Sequence, residues 1–191
     1  MNTSIFKALL LCGVIAISSS CGRDDVEAPA IPASDGSKLK LEGGEGGREA
    51  VNAVYLDLST DTQTPVARNS WNLGFYNGNE FHVILNGFHN TGAAVTESTD
   101  INAVNSSNFD TKKLMLNLNV PTPNDFKIFD DTLGRITQTA IAEVNATAVN
   151  NRVYVINTEV TSTNVVKENL WKIRVQREGN TGYTLQYGKI D

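Results

Sequence analysis

The stretch that decides the fold is the C-terminal run Leu170-Trp171-Lys172-Ile173-Arg174-Val175-Gln176, followed by Glu178-Gly179-Asn180-Thr181-Gly182 and Tyr183-Thr184-Leu185-Gln186-Tyr187. In the two outer segments, β-branched and aromatic residues alternate with polar ones. This period of two is typical of a strand that buries one face. The segment between them is rich in glycine and asparagine, which favour a turn. The run therefore predicts two strands joined by a turn.

The same period continues along the chain from residue 51 onward and predicts six further strands. Turn residues such as Asn77-Gly78-Asn79 and Asn86-Gly87 separate several of them. We therefore predict an all-β fold, an antiparallel β-sandwich-like single domain over residues 51–191. The six predicted strands are Ala53–Leu58, Ser70–Tyr76, Glu80–Leu85, Lys113–Leu118, Arg135–Ile141 and Arg152–Asn157.

Two segments do not follow this strand pattern. Residues 89–112 form a polar connection that is too long for a hairpin, and a long ordered loop in a compact β domain is often functional. Residues 125–133 are the only candidate for a helix.

The N-terminus has the pattern of a secretory signal. Lys7 precedes a run of about ten apolar residues, which is too short to span a bilayer as a helix. Small residues then lead into Cys21, and this arrangement resembles the bacterial lipobox. It implies that residues 1–20 are a signal peptide and that Cys21 is lipidated. Cys12, the only other cysteine, would leave with the signal, so no disulfide is predicted.

Residues 21–50 are predicted to be a lipidated flexible tether, because they are rich in Gly, Pro, Ala, Ser and charge. The acidic pair Asp24-Asp25 behind Cys21 resembles the surface-export signal of Bacteroidetes lipoproteins. We therefore expect a lipid-anchored protein of the outer membrane, on the cell surface. The net charge of −5, without a cluster of Lys or Arg, argues against nucleic acid as a partner.

The only two histidines, His82 and His89, flank Asn86-Gly87. If Asn86-Gly87 is a two-residue hairpin turn, His82 lies diagonal to His89 on one face of the sheet. Two neighbouring imidazoles suit a small divalent ion if a third ligand comes from elsewhere. They suit a haem poorly, because its two axial ligands approach from opposite faces. The alternative is that both are ordinary polar residues of a half-exposed hairpin.

Met115 lies between two leucines, a pattern typical of strand packing, and it is the remaining weak candidate for a haem ligand. The chain lacks a Gly-x-Ser-x-Gly elbow, a His-Glu-x-x-His motif and a Walker loop, so we predict that it is not an enzyme. Aromatic residues near turns, such as Tyr76 and Phe88, are candidates for an apolar pocket or a sugar-binding face.

Several segments together resemble the HmuY family of Bacteroidetes surface lipoproteins. The resemblance implies an all-β fold, haem binding in iron acquisition, and transfer of haem to an outer-membrane receptor, for which a TonB-dependent receptor is the candidate. The Trp-x-Leu-Gly-Phe strand with its Asn-Gly turn is the most specific part. The segments are Val54–Ser59, Arg68–Tyr76, Val83–Gly87, Arg152–Ile156, and Trp171–Val175 with Gly182–Tyr187.

The chain departs from this family in its ligands. The best-known members hold haem iron between two histidines or two methionines in the later half of the domain. Residues 116–191 contain neither His nor Met, so no ligand can be transferred by position. Three alternatives follow: the protein uses His82, His89, Met115 or a tyrosinate, it binds another apolar ligand, or it is a glycan- or partner-binding surface lipoprotein that has lost haem ligation.

Overall fold

The structure is a computed structural model, and it describes residues 36, 38–76, 78–119 and 121–191. The chain divides into two units, residues 1–39 and 40–191. The predicted signal peptide of residues 1–20, Cys21, and residues 22–35 of the predicted tether lie outside the described residues. The boundary predicted at residue 51 stays a prediction. The second unit begins before that boundary, and the Glu42 N–H donates a hydrogen bond to Gln63 Oε1 over 3.0 Å.

The described part of the second unit is all-β and antiparallel, as predicted, and it has eight strands in three sheets. The sheets have the strand orders β1-β2, β3-β4 and β5-β6-β7-β8. Only short 3-10 turns of three or four residues accompany these strands in the described residues. The strands are β1 Asn52–Asp57, β2 Thr62–Ala67, β3 Leu73–Phe75, β4 Val83–Leu85, β5 Gly92–Val95, β6 Tyr154–Asn157, β7 Leu170–Glu178 and β8 Gly182–Lys189.

The 3-10 turns are Gly47–Glu49, Gly87–His89, Ile101–Ala103, Thr111–Leu114, Ala148–Asn150 and Lys167–Asn169. Among the described residues, no helix has the length and apolar character that a membrane crossing requires.

The four-stranded sheet β5–β8 is the centre of the domain and is covered on both faces. Its strands alternate as a period of two requires, so that Val155 faces one core while Ile156 faces the other. The first core lies between this sheet and β3-β4, and it contains Val83, Leu85 and Ile173. The second core lies beneath an irregular cover that contributes residues such as Leu114, Phe109 and Ile128. The domain is therefore sandwich-like, with one regular and one irregular cover.

Two strands carry weak sequence signals and are not among the predicted strands. β2 is mostly polar and contains Pro65, which cannot donate to a sheet and is tolerated here because the sheet has only two strands. β5 has only small residues besides Val95. A Cβ at Gly92 would lie 2.6 Å from Val160 Cγ2, so close packing explains the glycine. The predicted polar connection of residues 89–112 therefore contains a strand.

The predicted strand Lys113–Leu118 is wrong. Asp110 caps a 3-10 turn over Thr111–Leu114 by accepting a hydrogen bond from the Lys112 N–H. Leu114 is still fully buried, so its apolar pattern serves the second core without a strand.

The predicted strand Arg135–Ile141 is also wrong, because side chains hold this segment in turns. Asp131 accepts hydrogen bonds from the backbone and side chain of Arg135, and Asp130 accepts one from the Ala140 N–H. The helix considered over residues 125–133 is likewise absent, and turns occupy these described residues. Ile141 remains buried in the first core, which explains its apolar character.

Candidate functional site

A cavity of about 590 Å³ lies beside β4. Residues between 84 and 91 form one side, and Leu116 together with residues between 126 and 139 form the other. The volume lies within the range of about 300–1,000 Å³ that is typical of small-molecule sites. The irregular segment 116–139 therefore encloses a space that the sheets alone would leave open.

Apolar side chains make up most of the cavity wall. Ile84 comes from β4, and Leu116, Phe126, Phe129 and Ile136 come from the irregular segment. Phe126 is 50% exposed, so its ring is accessible from the cavity and from solvent. The cavity is thus suited to a ligand with large apolar faces.

Asp130 fixes the irregular segment to β4. Its Oδ2 accepts a hydrogen bond from the Leu85 N–H over 2.7 Å, and its Oδ1 accepts one from the Ala140 N–H over 2.8 Å. Burial raises the pKa of this carboxyl above its ordinary value, and the two hydrogen bonds oppose that rise. One side chain therefore joins three parts of the chain at the cavity wall.

Asp131 and Arg135 form the charged rim of the cavity. The guanidinium donates from Nε to Asp131 Oδ2 over 2.9 Å and from Nη2 to Oδ1 over 2.8 Å. These hydrogen bonds lower the pKa of Asp131 to about 2. The pair closes a turn around Thr132 and Gly134, which also line the cavity.

A more open depression of about 530 Å³ adjoins the cavity and shares Phe126, Phe129 and Asp130 with it. It adds Lys127 and Pro123 to the surface. Phe126 and Phe129 therefore border both spaces. A ligand larger than the enclosed volume can extend from one into the other.

The hairpin predicted around Asn86-Gly87 is wrong. Gly87–His89 is a 3-10 turn, which Asn86 caps by accepting from the Phe88 N–H. β4 instead pairs with β3, where Leu85 is opposite Leu73. The diagonal placement of the two histidines, which depended on that hairpin, is therefore not found.

The two histidines lie in different surroundings. His82 is buried, its Nε2 lies 3.0 Å from Glu80 Oε2, and its Nδ1 has no hydrogen-bond partner in the structure. His89 is half-buried at the end of its turn. Neither lines the cavity, although Gly87 and Asn90, close to His89 in sequence, do.

Met115 is half-buried directly after the turn Thr111–Leu114, and its neighbour Leu116 lines the cavity. As haem ligands, His82, His89 and Met115 all stay predictions. The aromatic part of the cavity wall was not predicted from the sequence. The signal present there is a pair of phenylalanines three residues apart, Phe126 and Phe129, in a segment with no clear strand period.

Residues 49–184 match the model of the family described as HmuY protein, which is more than half of the chain. The chain belongs to the HmuY family. The resemblance drawn from the sequence is thereby confirmed, and HmuY proteins are associated with haem binding at surfaces. The comparisons with curated proteins and with solved structures gave no match.

The cavity suits the macrocycle of a haem, but its described lining offers no axial ligand for the iron. Its volume and apolar walls suit a flat macrocycle. Haem iron takes axial ligands from His, Met, Cys or Tyr, and none of the residues described as lining this cavity is of these types. Within the described residues, no group of three or more His, Cys, Asp and Glu could hold a metal ion. The lining therefore does not fit ligation of the iron by side chains.

Proposed function

We propose that this HmuY protein is a surface-tethered lipoprotein that binds haem or a related tetrapyrrole, without catalysis, and serves haem-iron acquisition. The observation that carries the proposal is the cavity of about 590 Å³ between β4 and residues 116–139. Its size and its aromatic and aliphatic walls match a large, flat, apolar ligand. Membership of a family associated with haem binding supports the same ligand class.

In this proposal, the walls of the cavity hold the macrocycle by apolar burial. Phe126 and Phe129 offer rings for contact with its faces, and Ile84 and Ile136 pack against its edges. Burial of apolar area contributes about 25 cal/mol of binding free energy per Å². A large flat ligand can therefore bind by apolar burial without a bond between a side chain and its iron. Lys127, in the adjoining depression, is placed to attract the carboxylates of the ligand.

The proposed location is supported by the N-terminal sequence, and the proposed partner by the family resemblance. A lipid on Cys21 would anchor the chain in the outer membrane, and the Gly- and Pro-containing residues that follow would act as a tether. Haem is scarce and poorly soluble, so a tethered binding domain keeps it beside a transporter. A TonB-dependent receptor is the proposed recipient.

The test is a titration with haemin, followed by Soret absorbance, of the protein and of the variant Phe126→Ala. Because Phe126 is half exposed and lines the cavity, the variant should fold normally and bind haemin about tenfold more weakly or worse. Phe88→Ala is the matched control, since Phe88 is 40% exposed and lies outside the lining. An equal loss in both variants, or no saturable Soret shift in the parent protein, would contradict the proposal.

Three further variants test the candidate haem ligands one at a time: His82→Ala, His89→Ala and Met115→Ala. The proposal predicts that none of them shifts the Soret maximum of the complex, because none of these residues lines the cavity. Loss of haemin binding in a folded variant would instead identify that residue as an axial ligand and place the haem elsewhere.

A further inference from the structure

A second, smaller groove lies on the first-core face of the central sheet, where β3 leaves the ends of β6, β7 and β8 uncovered. Its volume is about 200 Å³, and none of its lining residues belongs to the larger cavity. Ile156, Ile173 and Leu185 form an apolar floor. This volume corresponds to about seven water molecules, which is too small for a tetrapyrrole.

Two aromatic rings border the groove. Trp171 and Tyr187 lie on neighbouring strands, with ring centroids 6.1 Å apart and planes tilted by 42°. The Lys189 ammonium lies 3.9 Å from the Trp171 ring centroid, and its Nζ donates to the Glu168 carbonyl. The indole is therefore held in place, whereas Tyr187 is 67% exposed. The result is one fixed and one accessible aromatic surface.

Two polar side chains also line the groove. The Asn72 amide Nδ2 donates to Thr91 Oγ1 over 3.1 Å, and the Thr158 hydroxyl donates to the Asn169 carbonyl over 3.3 Å. An amide oxygen and a hydroxyl oxygen can each accept hydrogen bonds while the group donates elsewhere. None of the residues described as lining the groove is charged, so a neutral ligand is favoured.

We propose that this groove binds one pyranose ring of a neutral glycan, as a site separate from the tetrapyrrole cavity. A pyranose has an apolar C–H face, which suits the rings of Trp171 and Tyr187, and hydroxyl groups at its edge, which suit Asn72 and Thr158. A purely aliphatic ligand would make no use of those acceptors. A cationic ligand would find no opposite charge in the lining, and the cation beside the groove, the Lys189 ammonium, already contacts the Trp171 ring and the Glu168 carbonyl.

The experiment uses the two tryptophans of the chain, Trp71 and Trp171. The change Trp71→Phe leaves Trp171 as the only indole and thus as a reporter inside the groove. Titration of this protein with cellohexaose, maltohexaose and mannohexaose should give a saturable change in its fluorescence with at least one of them. No saturable change with any of the three sugars would overturn the proposal, as would a response to an apolar peptide alone.

The matched pair of variants is Tyr187→Ala and Tyr55→Ala, because the two tyrosines are 67% and 66% exposed and only Tyr187 borders the groove. Tyr187→Ala should weaken sugar binding about tenfold, and Tyr55→Ala should leave it unchanged. Haemin binding should be unaffected in both. Equal sugar affinity in the two variants, or loss of haemin binding in Tyr187→Ala, would overturn the assignment of the groove to a separate sugar site.

Discussion

Asp130 connects the two sides of the cavity wall. It satisfies two backbone N–H groups, of Leu85 and Ala140, that belong to segments far apart in sequence. Burial raises the pKa of its carboxyl, so the folded protein retains this proton to a higher pH than the unfolded chain does. The stability contributed by Asp130 therefore falls as the pH rises through the window above its ordinary pKa of 3.8.

Asp130→Ala should lower the free energy of unfolding by about 1–3 kcal/mol at neutral pH. Alanine leaves the N–H groups of Leu85 and Ala140 without their acceptor. Urea unfolding followed by tryptophan fluorescence measures the loss. Asp57→Ala is the control, because that exposed carboxylate also accepts hydrogen bonds, from the N–H and the hydroxyl of Ser59. An equally large loss of unfolding free energy in the control would show that the bridging position of Asp130 adds no stability beyond that of an exposed carboxylate.

The ion pair at the rim gives a prediction about pH. The pKa of Asp131, about 2 in the protein, should rise toward 3.8 in Arg135→Gln, because the guanidinium hydrogen bonds are lost. Carboxyl-carbon NMR titration measures it. Since the folded pKa lies below the unfolded one, the pair stabilises the fold above 3.8 and loses this effect as the pH falls through about 2. An unchanged pKa in the variant would contradict the assignment.

The short strand β3 depends on the glycine at its centre. A Cβ at Gly74 would lie 2.7 Å from Cγ1 and 2.9 Å from Cδ1 of Ile84, its partner on β4. The glycine in the Trp-x-Leu-Gly-Phe segment thus makes room for a side chain that also lines the cavity. This strand connects the most specific part of the family resemblance to the proposed site.

Gly74→Ala should reduce the free energy of unfolding by about 1–3 kcal/mol, since Ile84 must move. Thermal or urea unfolding gives the value. Gly188→Ala is the control on β8, where the nearest atom to an added Cβ is Lys172 Cε at 3.8 Å. The control should be neutral or more stable by up to about 1 kcal/mol. Equal stability of the two variants would contradict the role given to Gly74.

The strands that the sequence predicts correctly are those with long alternating patterns, above all β7 and β8. They form the longest pairing among the described residues, from Trp171 opposite Lys189 to Glu178 opposite Gly182. β2 and β5 were missed because Pro65 and the small residues of β5 give no apolar alternation. Residues 113–118 and 135–141 alternate but are held in turns by aspartate side chains, a tertiary effect that periodicity does not contain.

The candidate site was harder to predict than the fold. His82 and His89 are candidates because imidazole binds metals. Their predicted proximity required a hairpin at Asn86-Gly87, and the structure has a 3-10 turn capped by Asn86 at that place. The cavity wall instead comes from apolar residues such as Phe126 and Phe129, which are identified only once the irregular segment is placed against β4. The residue types in a sequence indicate possible metal ligands, whereas a cavity is formed only when segments distant in sequence pack together.

At the scale of the whole domain, a regular sheet supports irregular segments that carry the binding surfaces. The sheet β5–β8 buries residues on both faces, and its two covers differ in kind. The cavity is made by the irregular segment and β4, and the groove lies where β3 ends. Loops positioned by a rigid scaffold are the common place for binding sites, and this protein has the same division.

The most direct measurement compares the affinities of the protein for haemin and for metal-free protoporphyrin IX, by quenching of tryptophan fluorescence. If the cavity walls hold the macrocycle, both ligands should bind saturably and with affinities within about tenfold of each other, a difference of about 1.4 kcal/mol. Phe126→Ala should weaken both to the same degree. Binding of haemin without protoporphyrin IX, or of neither, would contradict the account.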